Sequence, residues 1–140
     1  MEPEEKKLVE IAQIDSKVLL RVRTSFPFIL FPIVISVDRL KITIENHYFF
    51  FSKSVRSIMI KDVMNVMVEE TPLFSLLRIT DRLIPQDTIE IANLSHTEAQ
   101  ELRRLIQGLM VTEKEGVDLT KIDPGRLKSN LQTIGKVNES

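Results

Sequence analysis

Between Ser16 and Asn93 the chain returns again and again to short runs in which apolar and polar residues alternate, and no stretch between them is long and periodic enough for a crossover helix. Val18, Leu20 and Val22 alternate with Leu19, Arg21 and Arg23. Ile33 to Val37 is β-branched apart from Ser36, and Asp38-Arg39 offers a tight reversal into the alternating segment Leu40 to Glu45. Tyr48–Phe51, Val55–Ile60, Val63–Glu69, Leu76–Asp81 and Thr88–Asn93 continue the pattern between polar or proline-bearing turns. Parallel neighbours need a crossover of about a dozen residues or more, so these strands are expected to pair antiparallel. That excludes a doubly wound parallel sheet and its nucleotide crevice.

The sheet region ends at Ser95-His96-Thr97-Glu98, which reads as a capping box: the Ser95 hydroxyl and the Glu98 carboxylate would satisfy reciprocal free amides at a helix start. Ala99, Leu102, Leu105, Ile106 and Leu109 then form an apolar stripe, with Glu101, Arg103, Arg104 and Gln107 on the solvent side. The predicted helix, about Ser95–Met110, must cover apolar surface, and the preceding sheet supplies it. Beyond Glu115, Asp123-Pro124 reads as a cap and first helical residue. Leu127, Leu131 and Ile134 share one face, and Gly135 is the expected stop of a short second helix. Before the strands, Leu8, Ile11 and Ala12 stand at helical spacing behind Glu4 and Glu5. The expected organisation is an N-terminal extension (1–15), one domain (16–115) and a tail (116–140), because 140 residues suit a single core.

Composition narrows function mostly by exclusion. A net charge of −1 gives no whole-chain attraction to a polyphosphate backbone, so nucleic acid is not an expected partner. With no cysteine there are no disulfides or thiolate sites, and the acidic segment Met1–Lys7 does not read as an export signal, so a cytoplasmic protein is expected. The apolar run Phe26–Ile35 is about half of a membrane span and contains Pro27 and Pro32. His47 and His96 have no companions at metal-ligand spacing. All four glycines (108, 116, 125 and 135) follow the strands, so no glycine-rich loop is available to cradle phosphate. Glu69-Glu70 reads as a solvated strand end near Pro72. The chain is therefore expected to be no enzyme, with no cofactor, no metal and no evident small-molecule substrate.

Three segments carry a resemblance. Ile35-Ser36-Val37-Asp38-Arg39-Leu40-Lys41-Ile42 looks like a short strand, a polar turn with Asp and Arg, and a return strand. Arg56 to Val66 sets an isoleucine strand before a polar turn and a valine strand. Leu76-Leu77-Arg78-Ile79-Thr80 follows as the next strand. In this order, from about Ile33 to Met110, the chain resembles bacterial pleckstrin-homology-like (PH-like) domains. The resemblance implies a mainly β (α+β) fold: an antiparallel barrel of two near-orthogonal sheets, about seven short strands, plugged by a C-terminal helix. It implies binding and not chemistry, since such scaffolds host lipid, peptide and protein recognition. Some relatives hold phosphoinositide headgroups with basic residues near the first hairpins. Arg39, Lys41, Lys53 and Arg56 are the corresponding candidates for anionic lipid at the inner face of a membrane.

Consecutive large apolar residues are a further signal, because one face of an alternating strand suffices for a core. Phe26, Phe28 and Phe31, with Tyr48, Phe49, Phe50 and Phe51, are candidates for contact with a protein partner, a second copy or a membrane interface. The leading expectation is a non-catalytic binding or scaffolding module that recognises a protein through apolar sheet surface or a sheet edge. A peripheral membrane module is the alternative.

Overall fold

In a computed structural model the chain is described at residues 2–8, 18–24, 31–48, 52–119, 122 and 124–137. Seven strands form in order: β1 (Leu20–Arg23), β2 (Ile33–Val37), β3 (Lys41–His47), β4 (Lys53–Met59), β5 (Val63–Glu70), β6 (Ser75–Asp81) and β7 (Thr88–Leu94). A short exposed helix, α1, occupies residues 3–8, and two longer helices, α2 (His96–Glu115) and α3 (Pro124–Val137), close the chain. β1 to β4 make one antiparallel sheet in sequence order, and β5 to β7 make another.

Local chemistry explains most boundaries. The Asp38 carboxylate accepts from the Leu40 and Lys41 amides at 2.8 and 2.9 Å, a side-chain-closed turn that sets the β2–β3 register and brings Ile35 opposite Ile44 and Val37 opposite Ile42. The Ser95 hydroxyl accepts from the Glu98 amide at 3.2 Å and starts α2. The return bond from the Glu98 carboxylate to the Ser95 amide is not made, so the cap works in one direction. At the other end Gly116 adopts φ +68, its amide donating to the Glu113 carbonyl while the Val117 amide reaches Thr112. This left-handed cap ends α2 after Glu115, beyond the Met110 expected from its stripe.

Several expectations are corrected. The expected barrel is not closed among the described residues. The ladder stops after β4, where the 3-10 turn Ile60–Asp62 carries the chain from one sheet to the other. The Ile60 amide donates to Leu40 at 2.8 Å, and the Asp62 carbonyl accepts from Arg82 at 2.7 Å, so the turn is tied to both sheets. Tyr48 does not begin a strand. Its amide donates to the Ser52 carbonyl at 2.8 Å and closes the β3–β4 connection, while Phe49 to Phe51 lie outside the described residues. β1 starts only at Leu20, which leaves Val18 exposed and buries Leu19 beside Val22. Leu8 is exposed, and Ile11 and Ala12 lie outside the described residues.

One core joins the layers. Ile35, Ile42, Leu77, Ile79 and Ile91 face the α2 stripe of Leu102, Leu105, Ile106 and Leu109, all fully buried. α2 packs against β5, β6 and the 3-10 turn, and its opposite side receives α3. Leu127 and Leu131 of α3 are buried there. Gly135 is not the helix stop but an interior contact. A Cβ at Gly135 would strike the Arg104 backbone carbonyl, and one at Gly108 would strike the Leu131 carbonyl. Each glycine thus sits one turn after the residue that the other glycine meets, so the helices cross at backbone contact.

Gly108→Ala and Gly135→Ala should each destabilise the fold by about 1–3 kcal/mol in urea denaturation, the usual cost of overpacking, although alanine is the better helix former by roughly 1 kcal/mol. A gain in stability at either position would show that the helices do not meet so closely.

Candidate functional site

The residues singled out from sequence are spread across the molecule. Tyr48 is exposed at the β3–β4 connection and Phe31 is half-buried ahead of β2, whereas Phe26, Phe28, Phe49, Phe50 and Phe51 lie outside the described residues. Arg39 is 7% exposed, and its Nη2 donates to the Ile122 carbonyl at 3.1 Å, pinning the link between α2 and α3 to the β2–β3 turn. Its buried Nε has no hydrogen-bond partner among the described residues. Arg56, on the same face as Ile44, is paired at 2.7 Å with Asp87 of the β6–β7 connection. Lys41 stands opposite Met59 and Lys53 opposite His47, at the two ends of the β3–β4 ladder. Six residues of strand separate these positions by about 20 Å, beyond a Debye length. The four cations are therefore not gathered into one patch.

Nor do the histidines assemble chemistry. His47 lies 3.5 Å from Glu45 on the same strand. His96 Nδ1 and Ser75 Oγ are 2.7 Å apart, but Ser75 is 1% exposed, so this hydroxyl is closed to a substrate and instead ties the start of α2 to β6. Among the described residues no group of three His, Cys, Asp or Glu could hold a metal ion. Glu69 and Glu70 do lie at a strand end, yet each has a partner: Glu69 pairs with Arg78 at 2.6 Å, and Glu70 accepts from Gln100 at 3.1 Å. Arg78 also meets Glu90 at 3.0 Å, so a Glu–Arg–Glu row crosses β5, β6 and β7 on the outer face of that sheet. The shallow hollow there, about 300 Å³, is lined by charge that is already satisfied.

A larger groove, about 650 Å³, opens where the start of β5 passes the last turns of α2. Three steps build it. The 3-10 turn presents Lys61 and leads into β5; a register shift between Val63 and Asn65 gives β5 an extra residue, Met64, which lines the groove at 50% exposure. Arg82 follows β6 and is held by its amide bond to Asp62. The helix supplies Met110, Glu113 and Lys114, the last two from turns of α2 beyond Met110. Lys61, Arg82 and Lys114 make no ion pair among the described residues, in contrast to Arg56 and Arg78. β5 is the outer strand of its sheet, so its far edge has no strand neighbour among the described residues. The arrangement offers methionines for apolar side chains and cations for charge, beside a strand whose far edge is open to main-chain bonding. Sequence reasoning missed this groove because its charges come from a turn, a strand end and a helix end far apart in the chain.

No family model, curated protein or solved structure matches the chain.

The placement of Arg39 is testable. Arg39→Ala should destabilise the protein by about 1.5–3 kcal/mol in urea denaturation, the range for a hydrogen bond from a charged group. Unchanged stability would mean that its bond to the α2–α3 link does not hold the fold.

Proposed function

We propose that this chain is a non-catalytic binding module of PH-like type that takes an extended segment of a protein partner at the β5 edge, in the groove between β5 and α2. The observation that carries this reading is a groove lined by exposed Met64 and three cations beside the start of β5, a strand whose far edge has no strand neighbour among the described residues. Strand addition to a sheet edge gives affinity through main-chain bonds and specificity through pockets for alternate side chains. The PH-like reading draws support from the order of two antiparallel sheets followed by a helix, although β1 of the first sheet lies before the Ile33–Met110 span that carries the resemblance.

The membrane reading has less support. For lipid binding at a surface, Arg39 is committed to the interior and Arg56 to Asp87.

The test is capture on the immobilised chain, comparing the unmodified protein with Met64→Asp. Met64 is half-exposed, so the substitution should leave folding intact while placing a charge on the groove floor. A partner retained by the unmodified chain should be depleted on the order of tenfold by the variant, as when a contact worth about 1.4 kcal/mol is lost. Equal retention of every captured protein would overturn the reading.

A further inference from the structure

We propose that the segment received by this groove is acidic, with carboxylates alternating with apolar residues, so that Lys61, Arg82 and Lys114 meet negative charge while Met64 and Met110 meet the apolar side chains. This inference rests on the groove reading above and adds the chemistry of the occupant.

The argument is one of charge left uncompensated. The chain as a whole carries −1. Arg78 is neutralised in place by Glu69 and Glu90, and Arg56 by Asp87, whereas the exposed Arg21 and Arg23 of β1 make no ion pair among the described residues. In the groove three cations face one carboxylate, Glu113, and none of the four forms an ion pair among the described residues. The positive charge stands on both walls, Lys61 and Arg82 on the sheet side and Lys114 on the helix side, with apolar surface between them. A strand laid along β5 sends successive side chains to opposite sides, which suits an alternation of acidic and apolar residues.

The same geometry favours a peptide over a phosphorylated headgroup. Glu113 stands in the helix wall, and the C-terminal end of α2 adds the partial negative charge of its dipole, reduced where the Gly116 and Val117 amides cap the Glu113 and Thr112 carbonyls. A compact polyanion would meet that repulsion at full strength. Carboxylates spaced along a strand can lie against Lys61 and Arg82 and leave the helix end to Lys114.

Fluorescence anisotropy with three short labelled peptides, alternating valine with glutamate, lysine or threonine, tests this directly. The proteins compared are the full chain, its Lys61→Gln/Arg82→Gln/Lys114→Gln variant and Met64→Asp. All three substituted cations are exposed, and circular dichroism with urea denaturation checks that the variants remain folded. The glutamate peptide should bind on the order of tenfold more tightly than the lysine peptide, the combined effect of a few exposed ion pairs, and added salt should reduce the difference. The triple variant should erase the preference. Equal binding of the glutamate peptide by the full chain and the triple variant overturns the inference. If the threonine peptide binds as well as the glutamate peptide and both are lost in Met64→Asp, acidity is wrong and the groove reading survives. If no peptide responds to Met64→Asp, both fall. Displacement of the glutamate peptide by phosphatidylserine vesicles, but not by phosphatidylcholine vesicles, would assign the charge to lipid and also overturn the inference.

Discussion

Because Gly108 and Gly135 have no Cβ, α2 and α3 approach until each glycine meets the other helix's backbone, and that contact holds α2 from the side opposite the sheets. The consequence reaches beyond the helix pair. α2 carries a buried stripe against β5, β6 and the 3-10 turn, so a helix fixed on both sides cannot shift without opening the core. Its last turns, with Glu113 and Lys114, then stand at a fixed distance from the start of β5. The groove is thus a by-product of helix packing: its walls are rigid elements, and its width is set by residues that do not line it. Arg39 adds a second restraint by bonding the link that joins the two helices.

Most of the fold was legible because it depends on local periodicity. Ile33–Val37 is the predicted strand residue for residue, and β5, β6 and β7 differ from their predicted spans only by an end residue. The Ser95 cap was readable because a hydroxyl accepting from the amide three residues on is a short-range interaction. The misreadings share a different cause. Tyr48 to Phe51 has strand composition, but Tyr48 closes a reversal, and composition does not say where a chain must turn. Gly135 was read as a stop since glycine often ends helices, whereas its role here is set by Arg104, distant in sequence.

The candidate site was far less legible for the same reason. Four basic residues near the first hairpins read as a patch, yet one is buried, one is paired across sheets and two stand at opposite ends of a ladder. Conversely, Lys61, Arg82 and Lys114 each read as ordinary surface charge. What distinguishes the second set is that it shares one lining, which is a property of tertiary neighbours and leaves no trace in spacing. Met64 is similar: within Val63–Glu70 it looks like one more strand residue, and only the register shift sends it into the groove.

The division of the cations also bears on how stability and binding are separated in this fold. Arg39, with a buried guanidinium and one nitrogen lacking a partner among the described residues, carries a desolvation penalty that its native bond to the α2–α3 link helps to offset. It cannot be released to a ligand without disturbing that link. Lys61, Arg82 and Lys114 carry no such commitment, being solvated in the free protein, and a partner that reaches them displaces water and not an existing ion pair. A surface whose charges are already paired would have to break those pairs before offering anything to a ligand. In the groove, apolar surface and cations with no ion pair among the described residues stand beside a strand with an open edge, and a ligand meeting all three gains from each without dismantling the fold.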